Sequence, residues 1–225
     1  MALFAISDLH LSFSSDKPMD IFKGWDNYVE RIESNWLRVV SGEDTVVLPG
    51  DFSWALKLED TLMDFLFLNK LPGQKIILKG NHDLWWCTVS KMKTFFEQNG
   101  IDKVHILHNN HFETEKYAIC GTRGWMLEGT AEKKVLMREV GRLEASLESA
   151  KESGLIPLVF MHYPPAYDKT VCDEFFEVFE KYNVEDVYYG HMHGRGIHPA
   201  VQNVRGKILR LVSCDCIDFN PYRIV

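Results

Sequence analysis

Short apolar runs that end in polar, metal-seeking residues constrain this chain most. Residues 3–6 (Leu-Phe-Ala-Ile), 45–48 (Thr-Val-Val-Leu), 75–78 (Lys-Ile-Ile-Leu), 157–161 (Pro-Leu-Val-Phe-Met) and 187–189 (Val-Tyr-Tyr) are too short for helices and do not alternate apolar with polar. Such runs read as strands buried on both faces, the habit of parallel sheets covered by helices. They lead into Ser7-Asp8-Leu9-His10, Pro49-Gly50-Asp51, Lys79-Gly80-Asn81-His82-Asp83, His162-Tyr163-Pro164-Pro165 and Gly190-His191-Met192-His193-Gly194. Gly, Asn, Asp and Pro in these places also suit ordinary turns. What exceeds a turn is the repetition of ligand-type side chains after every run.

Helical spacing fills the intervals. Trp25, Tyr28, Val29, Ile32, Trp36, Val39 and Val40 predict one amphipathic helix, and Leu62, Phe65 and Leu66 a second that stops at Pro72-Gly73. Val89, Met92, Phe95 and Phe96 predict a third, closed near Gly100, and Phe175, Phe176, Phe179 and Tyr182 another. Between residues 130 and 153, Leu136, Val140, Leu143, Leu147 and Ala150 give one apolar face against a charged one, a helix that covers the domain. Residues 104–107 and 117–120 read as strands around a polar turn, a candidate hairpin, and 207–212 as a late strand. The alternation of strands and helices is that of an α/β fold.

With 225 residues and no repeat, low-complexity tract or linker, residues 1–225 are expected to form one domain. No apolar stretch approaches the ~18 residues of a membrane-spanning helix. Asp8 and His10 interrupt the N-terminal apolar stretch and no basic region precedes it, unlike a signal peptide. The five cysteines, Cys87, Cys120, Cys172, Cys214 and Cys216, are scattered and odd in number, which suits a reducing compartment; the expected location is the cytoplasm. Cys214-Asp215-Cys216 lacks the two-residue spacer of zinc and redox motifs and reads as a strand end with small buried residues. A net charge of −7, from 25 basic against 32 acidic residues, disfavours a nonspecific nucleic-acid binder.

In open α/β sheets, ligands bind in the crevice outside the carboxyl ends of the strands. If the runs lie side by side in parallel, Asp8, His10, Asp51, Asn81, His82, His162, His191 and His193 converge there. Imidazole with carboxylate suits Zn, Fe, Mn, Co or Ni. The set exceeds the three or four protein ligands of a single zinc site. Two divalent ions are the economical reading, with Asp51, alone on its strand, as the bridge. Ions roughly 3.5–4 Å apart can generate a hydroxide at neutral pH and stabilise the attacking and leaving oxygens at phosphorus.

The order Asp8-x-His10, Gly50-Asp51, Gly80-Asn81-His82-Asp83, His162, Gly190-His191-x-His193 resembles the calcineurin-like metallophosphoesterase superfamily, over residues 8–193. The resemblance implies two mixed β-sheets packed as a sandwich flanked by helices, a four-layer α-β-β-α fold. By motif position it places Asp8, His10 and His193 on one metal, Asn81, His162 and His191 on a second, and Asp51 between them. It makes His82 the non-ligand histidine that protonates the leaving oxygen. The implied reaction is hydrolysis of a phosphomonoester or phosphodiester by in-line attack of a metal-bridging hydroxide, on a small phosphoester rather than nucleic acid. A DNA nuclease and a catalytically silent metal-binding scaffold are the alternatives. Many members carry an Asp three residues after the bridging Asp, where it orients the histidine; here the position is Trp54, and Asp83 or a backbone carbonyl is the expected substitute. Ala55 replaces the Arg of the protein Ser/Thr phosphatase branch, which argues against that branch.

Arg123, after the run ending at Cys120-Gly121, is the candidate phosphate-binding cation, with Arg195 second. Trp25, Trp54, Trp85, Trp86 and Trp125 fall near the motif loops or in the first helix, as pocket lining or as a wall for an aromatic group. His105, His108 and His111 span a strand and a loop, share no helical face, and read as surface histidines, as does His198.

Overall fold

The computed structural model describes residues 1–125 and 133–225. In chain order the first half comprises β1 (Leu3–Ala5), α1 (Tyr28–Val39), β2 (Thr45–Leu48), α2 (Leu62–Lys70), β3 (Gln74–Ile77), α3 (Val89–Gln98), β4 (Val104–Ile106), β5 (Phe112–Glu113) and β6 (Tyr117–Thr122). The second half comprises α4 (Lys133–Ala150), β7 (Ile156–Met161), β8 (Ala166–Tyr167), β9 (Thr170–Val171), α5 (Asp173–Lys181), β10 (Asp186–Tyr189), β11 (Val201–Val204), β12 (Lys207–Leu211) and β13 (Tyr222–Arg223).

Two mixed sheets carry the fold, in the orders β13-β1-β2-β3-β4 and β11-β12-β10-β7-β6-β5. Within each, the inner strands are parallel and the short outer ones, β13, β11 and β5, are antiparallel. The unbroken apolar character of the runs follows from their position, because successive side chains alternate between two buried faces. In β1 and β7, Leu3, Ala5, Leu158 and Phe160 point into the core between the sheets. Phe4 faces the layer of α1, α2 and α3, and Val159 and Met161 face α4 and α5. The result is the four-layer sandwich.

At their carboxyl ends the sheets are stitched together. Ser7 N donates to Val212 O (2.8 Å) and Cys214 N to Ser7 O (2.9 Å), so β1 of one sheet meets the end of β12 of the other. The crevice that receives the motif loops therefore lies between two sheets rather than along one.

Two expectations need correction. Residues 104–107 and 117–120 form no hairpin: β4 pairs with β3 in the first sheet, whereas β6 pairs with β5 and β7 in the second. The apolar run at 104–107 has its partner about 30 residues earlier, and the true hairpin partner of β6 is the two-residue β5. Trp25 precedes α1 and lies in a turn, not in the helix. The long helix is present as α4 followed by a 3-10 turn at Lys151–Ser153, and packs on β6 and α5; residues 130–132 of the expected span lie outside the described residues. Among the described residues no helix is long and apolar enough to cross a membrane, and all five cysteines are free thiols.

Candidate metal centre

The loops after β1, β2, β3, β7 and β10 meet in one crevice, and their backbones are bent to do so. Asp8, His10, Asp51 and His191 occupy left-handed conformations, with φ between 47° and 69°. For residues other than glycine such conformations cost about 1–3 kcal/mol each and persist where the surroundings enforce them. Glycines make room for the result. A Cβ on Gly80 would lie 2.1 Å from Asp51 Oδ1, and one on Gly190 would lie 2.4 Å from Asp8 Oδ2. No side chain fits at either position.

Two groups of donor atoms form. Those of Asp8, His10 and His193 lie within 4.8 Å of one another, as do those of Asp51, His162 and His191. Asn81 joins the second group, its Oδ1 standing 2.6 Å from His162 Nε2 and 2.9 Å from His191 Nδ1. His162 Nδ1 donates to Pro49 O at 3.0 Å, so its Nε2 offers a lone pair toward the Asn81 oxygen. Such acceptors facing one another repel unless a cation lies among them. The Asp51 carboxylate stands between the groups: Oδ2 is 3.8 Å from His10 Nε2 and 3.5 Å from His162 Nε2. The donor set fits divalent ions.

Electrostatics agree with that fit. Burial, reinforced by neighbouring imidazoles, lowers His10 and His162 well below the usual histidine range and His191 to about 4, so all three are neutral at pH 7. Burial pushes Asp8 up to about 6, against the opposing pull of His193 and hydrogen bonds. Burial and the charges of Asp8 and Asp83 push Asp51 up to about 9. A cation reverses both carboxylate shifts. Between about pH 6.5 and 9 the three imidazoles are already neutral while metal-free Asp51 keeps its proton, so metal binding must expel at least that proton. Apparent affinity should therefore rise about tenfold per pH unit for each proton released. Calorimetric titration in buffers of different ionisation enthalpy measures it; an affinity flat with pH would contradict the raised Asp51.

Asp215, read from sequence as an inert strand end, is part of the centre. Its Oδ1 accepts from His193 Nδ1 at 2.9 Å and its Oδ2 from Gly194 N at 2.7 Å. With Nδ1 donating, Nε2 of His193 faces His10 Nε2 at 3.3 Å and Asp8 Oδ1 at 3.7 Å. Burial works against the imidazolium, yet the Asp215 hydrogen bond and the charges of Asp8 and Asp215 raise His193 overall. Carboxylates that orient a ligating histidine are worth about 10–100-fold in metal affinity. Asp215→Ala should weaken metal binding by about that factor and Asp215→Asn, which still accepts, by less. Equal affinity in all three proteins, measured by competition with a chelator, would remove Asp215 from this role.

The expected Asp83–His82 contact is not made. Asp83 is fully buried and accepts from the backbone N–H of Asp51, Phe52, Ser53 and Gly80 (2.7–3.3 Å) and from Trp85 Nε1 (3.1 Å), which exhausts its oxygens. It bolts the β2 loop to the β3 loop. His82 instead packs its ring against Trp54 at 4.4 Å, and its Nε2 lies 4.0 Å from Asp51 Oδ2 with the side chain 44% exposed. Burial, then Lys17 and His193, lowers its pKa. Trp54 also stacks on His10 at 4.7 Å, and Trp25 lies 5.7 Å from His193, so two of the tryptophans wall the centre while Trp85 belongs to the core. Arg195 pairs with Asp218 at the surface, and Arg123 with Glu139.

Two packed sheets with aspartates and histidines gathered at the carboxyl ends of their strands define a metal-dependent phosphoesterase, a hydrolase. The chain belongs to the calcineurin-like phosphoesterase family, whose sequence profile matches residues 1–195. No curated protein matches it. Solved structures share the fold: TT1561 of Thermus thermophilus (TM-score 0.62, 15% identity, covering 95% of this chain and 89% of that one) and the protein of unknown function AQ665 from Aquifex aeolicus (0.58, 19%, 99% and 95%). Phosphopantetheinyl hydrolase from Mycobacterium tuberculosis is also similar (0.58, 16%, 94% and 88%).

Proposed function

We propose that the protein is a dinuclear metal-dependent phosphoesterase acting on a small phosphomonoester or phosphodiester. The position of Asp51 carries this reading, because one carboxylate oxygen faces an imidazole nitrogen of each donor group. Asp8, His10 and His193 would hold one ion, Asn81, His162 and His191 the other, with Asp51 shared. Ions such as Mn, Fe, Zn, Co or Ni supply Lewis acidity there, acidifying water and offsetting charge on the phosphoryl oxygens.

The chain's own residues do the rest. Asp51 holds its carboxylate in place by accepting from His82 N at 2.8 Å, and Asp8 is fixed by His191 N and Ser213 Oγ at 2.8–3.1 Å. Trp25 and Trp54 limit access of bulk water to one side of the centre. His82, partly exposed beside Asp51, would give a proton to the departing oxygen.

The test is metal analysis of the purified protein joined to a screen of phosphomonoesters, phosphodiesters, nucleotides and single-stranded DNA. Two bound ions and turnover of a small ester are expected. Turnover confined to DNA would favour the nuclease, and inactivity across the panel with both ions bound would favour the scaffold.

A further inference from the structure

A second crevice opens one strand further along both sheets, outside the carboxyl ends of β3, β4 and β6 and roofed by α4. It encloses about 500 Å³, within the range of small-molecule sites, and none of the metal-binding candidates lines it. It abuts the centre nonetheless. Its wall residue Lys79 directly precedes Gly80 and Asn81, and the Arg123 carbonyl accepts from the backbone N–H of His162 (3.2 Å) and Tyr163 (2.9 Å).

The charge of this crevice runs against that of the molecule. In a chain of net charge −7, Lys79, Lys91, Arg123, Arg138 and Arg142 all line it, and among the described lining residues they face one carboxylate, that of Glu139. Glu139 is buried and already engaged, accepting from Thr122 Oγ1 at 2.7 Å, Arg142 Nη1 at 2.6 Å and Arg123 Nη2 at 3.4 Å. Among the described residues, Lys79, Lys91 and Arg138 form no ion pair, and the buried Nε of Arg123 has no hydrogen-bond partner. Like charges focused in a walled cleft favour a counter-anion. Guanidinium forks with ammonium groups match the several oxygens of a phosphate.

We propose that this crevice holds a second phosphate group of the substrate, so that the enzyme prefers phosphoesters carrying a further phosphate or pyrophosphate. The inference rests on the phosphoesterase reading above, since it assigns the reacting phosphoryl group to the metal side and the distal one to the cations.

Lys91 and Arg138 are exposed and, among the described residues, outside any ion pair, so Lys91→Glu/Arg138→Glu reverses two of the crevice charges without breaking a described salt bridge. Pyrophosphate binding to metal-loaded protein, followed by calorimetry, should weaken at least tenfold in this double variant and persist in His191→Ala. The ratio of kcat/KM for an ester bearing a second phosphate to that for p-nitrophenyl phosphate should fall at least tenfold in the double variant. Binding lost in His191→Ala but intact in the double variant would put the anion on the metals alone and overturn the proposal. Binding lost in the double variant with an unchanged ratio would assign the crevice to free phosphate, which also overturns it. Binding sensitive to the double variant without turnover of any ester would sink the phosphoesterase reading itself, and with it the role of the crevice as a substrate subsite.

Discussion

Asp51→Asn should abolish one metal site and lower kcat/KM by about 10³ or more without unfolding the protein. The activity estimate follows from Lewis-acid stabilisation worth several kcal/mol, at one decade per about 1.36 kcal/mol. The stability expectation comes from the same residue. In the metal-free state Asp51 is pushed up to about 9 by burial and by Asp8 and Asp83, so at neutral pH it is already protonated and uncharged. Asn has the same shape, is neutral at every pH, and keeps an oxygen to accept from His82 N. The metal-free variant should therefore unfold at or above the wild-type temperature, while metal raises its melting temperature less than it does for wild type. Metal content by mass spectrometry and paired thermal melts separate the two effects. Full metal stoichiometry with near-normal turnover in Asp51→Asn would refute the bridging role.

The parts of this site legible in the sequence were those where chemistry and strand grammar coincide. Asp8, His10, Asp51, Asn81, His162, His191 and His193 each follow an apolar run within a few residues, and parallel strands deliver such residues to one end of a sheet. Glycines at 80 and 190 marked the close approaches, since a Cβ there would collide with Asp51 or with Ser7 and Asp8. Which sheet each strand enters was not legible, because a three- or four-residue run buried on both faces looks the same in either. That is why residues 104–107 suggested a hairpin with 117–120 while pairing with β3 instead. The edge strands β5, β8, β9, β11 and β13 escaped notice because four or fewer residues with exposed positions have no usable periodicity.

Asp215 and the basic crevice were hidden for a different reason. Asp215 acts through His193, 22 residues away along the chain, and no spacing rule links a ligand to the carboxylate that orients it. The crevice cations come from the β3 loop, α3, the end of β6 and α4, so no basic run exists to be seen. Both become visible only when the second sheet folds its strand ends against the first. Local pattern identified the groups that touch the centre, and tertiary packing supplies those that position them.

His82→Ala should lower kcat on an alkyl phosphoester by about 10²–10⁴, the usual worth of a positioned general acid. On p-nitrophenyl phosphate the loss should be less than about tenfold, because nitrophenolate departs without a proton. What differs from many family members is how the ring is held. At position 54, where those members place a carboxylate, Trp54 packs on His82 at 4.4 Å and on His10 at 4.7 Å. Lys17 covers Trp54 at 4.7 Å, and Trp54 Nε1 approaches Met19 Sδ at 3.3 Å, so the indole is itself braced. A ring held by packing against a tilted indole is positioned but gains no charge to stabilise an imidazolium. Trp54→Phe should therefore retain most of the alkyl-ester activity, while Trp54→Ala should lose it selectively and leave aryl-ester turnover much closer to wild type. A uniform fall on both substrates in His82→Ala would mean that the histidine binds the phosphoryl group instead of protonating the leaving oxygen.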